Sequence, residues 1–135
     1  MIFFKKLFRR DKGRTFSEMS EIELNDSEEK LVEKFSALNT DTRIKKIMAY
    51  GDSGDLRYYE LLKYSIIHDP DLHVKMAALK RIHLFKSHID CIPMLTNLSE
   101  YINPKALEPY YSMALSRTEL ITIEEFEKRI NEAGK

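Results

Sequence analysis

An all-α fold follows from three features of the sequence. Residues 69–85, DPDLHVKMAALKRIHLF, place Val74, Phe85, Ala78, Ile82, Leu79, Leu72 and Met76 on an arc of about 200° when set at helical steps. An arc that wide belongs to a helix packed on two or more sides. The chain also has only four glycines in 135 residues and no sustained alternation of β-branched side chains, which argues against a sheet. Finally, helix-start signals recur: Asp69-Pro70 and Asn103-Pro104 pair a capping side chain with a proline, and Thr122 and Glu125 have capping-box spacing.

Composition sets the outer limits. The length suits one domain, and 43% hydrophobic with 33% charged residues is the balance of a folded chain rather than a disordered one. Cys91 is the sole cysteine, so no disulfide framework and no thiolate zinc site is expected. Net charge is zero, which removes a global drive toward nucleic acid, and no apolar run reaches membrane-spanning length.

The first segment, residues 1–14, reads as a basic amphipathic arm. Phe3, Phe4 and Phe8 recur at helical spacing with Ile2 and Leu7, while Lys5, Lys6, Arg9 and Arg10 occupy the other face. Two uses fit: an anchor on an anionic membrane surface, or an apolar face packed on the domain or a partner. Residues 15–26 are an acidic linker with little apolar periodicity. The helical domain is expected over 27–135.

Within it, the first helix starts near Ser27, with Leu31, Val32, Phe35 and Leu38 as its apolar stripe, and ends at Asn39-Thr40. The next runs from Asp41 to Tyr50, stopped by Gly51-Asp-Ser-Gly54. Asp55 to His68 follows, and His68-Asp69-Pro70 is the joint into the helix over 69–85. Pairing these four segments in order predicts two antiparallel hairpins. Lys75 falls inside the apolar arc, with Asp69 and Asp71 as its nearest acids. Ser87 begins a helix reaching Leu98, with Pro93 in its first turns; Pro109 shortens the helix that starts at Asn103. The last helix opens at Thr122, carries Ile123, Phe126 and Ile130 on one stripe, and ends at Gly134.

An acid, a Val or Ile followed at once by Lys, then small residues, as in Asp69 to Leu79, resembles the second helix of a HEAT or armadillo-type repeat. Asp41-Thr-Arg-Ile44-Lys45 aligns with Asp71-Leu-His-Val74-Lys75 at a separation of thirty residues, with Asn39 in the place of Asp69, and a looser copy starts at Asn103. The resemblance covers residues 27–117. It implies a short right-handed α-solenoid of antiparallel helix hairpins, with Asp69 and Lys75 as a ladder pair between neighbouring repeats. It also implies that second helices line a ligand-binding groove. On the helical wheel that groove carries His73, Lys80 and Arg81; the thirty-residue shift adds Arg43 and Tyr50 in one direction and Lys105 in the other.

Little in the sequence suggests catalysis. The four histidines, His68, His73, His83 and His88, have no pair at three- or four-residue spacing, so no metal site or cofactor is expected. No phosphate-binding glycine loop or nucleophile motif is present. The expected function is therefore a non-enzymatic protein-interaction module, an adaptor or an immunity-type inhibitor, whose basic groove takes an acidic partner. The alternatives are a membrane-associated scaffold held by the arm, or a HEAT-like nucleic-acid-binding protein. The expected location is cytoplasmic, with peripheral placement on the inner face of the membrane if the arm is an anchor.

Overall fold

The computed structural model describes residues 28–133, and the expected arm and linker lie outside them. The described chain is all-helical: seven α-helices and four short 3-10 turns, with no strand among the described residues. It divides between Ala37 and Leu38. The first unit contributes one described helix, α1 (Glu28–Ser36). The remaining helices belong to the second unit.

Helix α2 (Thr40–Ser53) is capped by Asn39, whose side chain accepts from the Thr42 amide at 2.9 Å. It does not stop at Gly51 as expected. It runs through that residue and ends at Gly54, whose φ of 64° forms the left-handed cap. Gly51 stays inside because the Arg81 side chain fills the space beside it: a Cβ there would lie 2.6 Å from Arg81 Cδ. Asp55 then caps a 3-10 turn, Leu56–Tyr58, which leads into α3 (Tyr59–His68).

The stretch 69–85 is not one helix. Asp71, rather than Asp69, is the cap, accepting from the His73 amide at 2.8 Å, and Pro70 precedes it. Helix α4 (Leu72–Leu79) ends at Lys80, and a 3-10 turn, Ile82–Phe85, follows. The break has a visible cause. The Arg81 guanidinium donates to the Ala77 carbonyl at 2.9 Å, satisfying a helix-end acceptor, while its backbone φ of −118° leaves the helical path.

Helix α5 (Cys91–Thr96) is shorter than the expected 87–98 and is followed by a 3-10 turn, Leu98–Glu100. Asn103 caps as expected, accepting from the Lys105 amide at 3.2 Å, but the element that it opens is a 3-10 turn, Pro104–Leu107. Helix α6 (Tyr110–Arg117) begins just past Pro109, and the Glu108 carboxylate accepts from both the amide and the hydroxyl of Ser112. Helix α7 (Ile123–Ala133) starts as its capping-box spacing predicts, with Thr122 Oγ1 accepting from the Glu125 amide at 3.0 Å.

Helix α4 is the centre of the packing. It lies against α3, its hairpin partner, against α2 on another side, and against α6 on a third. Val74, Ala78 and Leu79 are therefore buried, together with Tyr59, Leu62, Ile66, Ile82 and Phe85. The wide apolar arc of residues 69–85 is met in part: its buried members lie on α4 and on the turn after it, but Leu72 is 43% exposed and the stretch is broken after Leu79. Cys91 joins this core, its thiol directed at the Ile82 carbonyl, and burial pushes that thiol up to about 11.

Candidate functional site

Each residue expected in the groove can now be placed. Arg43 is not on a surface: it is 8% exposed and paired with Asp69, Nε to Oδ2 at 2.9 Å and Nη2 to Oδ1 at 3.3 Å. Its Nη1 donates to the Leu38 carbonyl at 2.6 Å, so all three guanidinium nitrogens are held by protein groups. Tyr50 is 1% exposed and stacks on Tyr58, with ring centroids 4.1 Å apart. Arg81 is largely covered, its Nε held by Asp52 at 2.9 Å. These three are corrections. The helical wheel assumed one helix through Arg81, and the thirty-residue shift assumed the same open face at Arg43 and Tyr50; the structure covers all three.

The expected ladder is likewise redistributed. Asp69 is spent on Arg43 and on the Asp71 amide, at 2.9 Å. Lys75 instead donates to the Ile66 and Ile67 carbonyls, at 2.9 and 3.1 Å, the open C-terminal end of α3. Burial lowers its pKa, and Asp69 opposes that shift.

The remaining three expected residues do face solvent. His73 is 78% exposed at its side chain, with Nδ1 3.5 Å from the Asp71 carboxylate. Lys105 is exposed on the 3-10 turn that packs against α4. Lys80 is exposed at the end of α4, its ammonium 6.0 Å from the centre of the Tyr110 ring.

No family model, curated protein or solved structure matches this chain. The site is therefore read from its geometry alone.

That geometry adds residues that the helical wheel had passed over. Lys80 closes α4, His83 lies in the 3-10 turn and Lys86 closes that turn, so basic side chains recur at intervals of three across the junction. At three residues per turn His83 and Lys86 share one row. Arg117, at the end of α6, reaches this junction and donates from Nη1 to the Lys80 carbonyl at 3.1 Å. Glu119, with a φ of 66°, sets its carboxylate 3.8 Å from the Lys86 ammonium. The result is a basic strip in which Lys80, Lys86 and Arg117 are exposed, His83 is half-buried, and Arg117 and Lys86 both act on its imidazole. The sequence did hold a signal for it, the three-residue spacing of the cations, but only for a reader who knew that the α-helix stopped at Lys80.

Two further features complete the surface. Among the described residues, no group of three or more His, Cys, Asp and Glu comes together in a way that could hold a metal ion. An open apolar groove lies between α6 and α7, lined by Pro109, Met113, Phe126 and Ile130 with Glu127 and Asn131 at its polar side. Among the described residues no helix is long and apolar enough to cross a membrane.

Proposed function

We propose that this chain is a non-catalytic protein-interaction module built as a short HEAT-like stack, and that it binds an acidic segment of a partner protein. The observation that carries this reading is the row α2, α4, α6. Helix α4 packs on both of the others, as second helices of consecutive repeats do in such a stack, and exposed cations mark the end of that row. Lys80, Lys86, Arg117 and Lys105 are available to an acidic ligand, whereas Arg43 and Arg81 are structural. An adaptor and an immunity-type inhibitor both fit; a nucleic-acid ligand is disfavoured by the net charge of zero.

Affinity capture with the full chain tests the proposal, comparing wild type with Lys80→Glu, Lys105→Glu. A protein partner retained by wild type, released by salt and lost from the double variant is expected. Equal capture by both would sink the basic face as the binding surface. The arm at residues 1–14 supports peripheral membrane attachment as an addition to this role. Flotation with anionic vesicles should then require Phe3, Phe4 and Phe8; flotation that survives replacing them with Ser removes the anchor.

A further inference from the structure

We infer that His83, Lys86 and Arg117 form a binding point for a dianionic phosphoryl group, carried by the acidic segment of the partner. This inference rests on the interaction-module reading and names the chemistry its ligand bears.

The first support is that the charge here is convergent rather than merely present. Arg117 is exposed and is tied by Nη1 to the Lys80 carbonyl, while Glu119, two residues on, lies at Lys86, so the two elements bring both cations to one place; one of the five guanidinium donors is used in that bond. Lys86 is 54% exposed at its side chain, in one row with His83. A fork and a point charge from two different elements is the donor set used for phosphoryl oxygens.

The second support is the resident anion. The Lys86 ammonium is answered by the Glu119 carboxylate at 3.8 Å, a loose contact, and that carboxylate is 83% exposed. An ion pair so solvated is worth little, so a better anion can displace Glu119 at small cost. The arrangement is that of a site holding a weak internal substitute for its ligand.

The third support is His83. Its Nδ1 is buried and has no hydrogen-bond partner among the described residues. The imidazole is held below its ordinary value by burial, then by Arg117, then by Lys86, against a smaller opposing effect from the Lys80 backbone. The charged groups that act on His83 are Arg117 and Lys86. On the elements packed against this turn, Asp52 of α2 holds Arg81, Arg43 of α2 is paired with Asp69, Lys63 of α3 holds Asp90, and Lys75 of α4 holds the end of α3. With Glu119 displaced, Lys86 and Arg117 offer two positive charges to a dianion, and a protonated His83 adds a third. Burial has the largest part in holding His83 down; an anion on the two cations offsets only their share, and to that extent binding and proton uptake reinforce each other.

The test is nuclear magnetic resonance of the His83 imidazole in the full chain. It is titrated with inorganic sulfate, which stays dianionic across the pH range, and with a phosphoserine peptide. Expected are a rise in the His83 titration midpoint on saturation and tighter sulfate binding at pH 6 than at pH 8. Arg117→Gln should weaken binding by about tenfold, whereas the control Lys105→Gln should not. Arg117→Lys, which keeps the charge and loses the fork, should fall between. An unmoved His83 midpoint, or sulfate binding that ignores Arg117→Gln, means an adventitious ion only and overturns the site. Capture of an acidic protein that still depends on Lys80 and Lys105 would then leave the interaction reading standing. Binding through these residues to vesicles of phosphatidic acid, but not to the phosphopeptide, would overturn the protein source of the phosphoryl group.

Discussion

Arg43 and Asp69, twenty-six residues apart, form a two-point ion pair that is nearly closed to solvent, with side chains 10% and 1% exposed. It ties the first turn of α2 to the joint between α3 and α4. A buried pair of this kind adds modest net stability when intact but is costly to halve, because the surviving charge has no water to turn to. Asp69→Ala should therefore destabilise by about 3–5 kcal/mol in urea unfolding. Arg43→Met with Asp69→Leu should recover most of that loss. A single variant within about 0.5 kcal/mol of wild type would mean the pair is solvated, as surface pairs are.

Gly51 and Arg81 make a second test, by a change of sign. Alanine normally improves a helix interior by about 1 kcal/mol over glycine. Here the new methyl meets Arg81 Cδ at 2.6 Å and Cβ at 2.7 Å, so Gly51→Ala should instead cost about 1–3 kcal/mol. In an Arg81→Ala background the same substitution should stabilise. A double-mutant cycle by thermal unfolding reads the reversal, and additivity between the two sites would refute the contact.

Acid stability should depend on Asp90. Its carboxylate accepts from Lys63 at 2.8 Å and from the Tyr59 hydroxyl at 2.7 Å, and these bonds hold its pKa below the usual carboxylate value, Lys63 having the larger effect. A depressed carboxylate contributes stability above its unfolded pKa, near 3.8, and that contribution is lost as pH falls through the folded value. Asp90→Asn should thus lower the urea midpoint at pH 6 and converge on wild type toward pH 2. A constant gap across that range would show that the loss is not one of ionisation.

The last helix should owe its docking to one aromatic. Phe126 lines the apolar groove between α6 and α7 and sits on the stripe with Ile123 and Ile130. Phe126→Ala should raise amide exchange in residues 123–133 well above that in α4, because the deleted ring is part of what α7 buries. Uniform exchange across both helices would mean that α7 unfolds only with the whole.

How much of this was legible in the sequence can be argued from particular residues. The wide apolar arc around Val74 and Ala78 announced a central helix, and Asn39, Asn103 and Thr122 announced their helix starts, because capping chemistry is local. The end of α4 was not legible. It is set by a tertiary event, the Arg81 side chain folding back to Ala77 and lying on Gly51, and no local propensity at Lys80 encodes it. That one unseen break took Arg81 off the exposed face and set His83 and Lys86 on one side of the turn that follows Lys80. Lys75 taught a similar lesson. Its spacing from Asp69 suggested an ion pair, yet two unpaired carbonyls at the end of α3 were closer and needed donors.

The seams on either side of α4 differ in stiffness. Between α2 and α4 the backbone is pinned at both extremities, by Arg43 to Asp69 at one and by Arg81 seated on Gly51 at the other, so neither helix can slide or pivot without expelling a guanidinium from its seat. Between α4 and α6 the polar ties are the exposed hydrogen bond from Arg117 to the Lys80 carbonyl, which water can replace, and the Lys80 ammonium over the Tyr110 ring. The cations proposed as the binding surface therefore stand at the more loosely tied of the two seams.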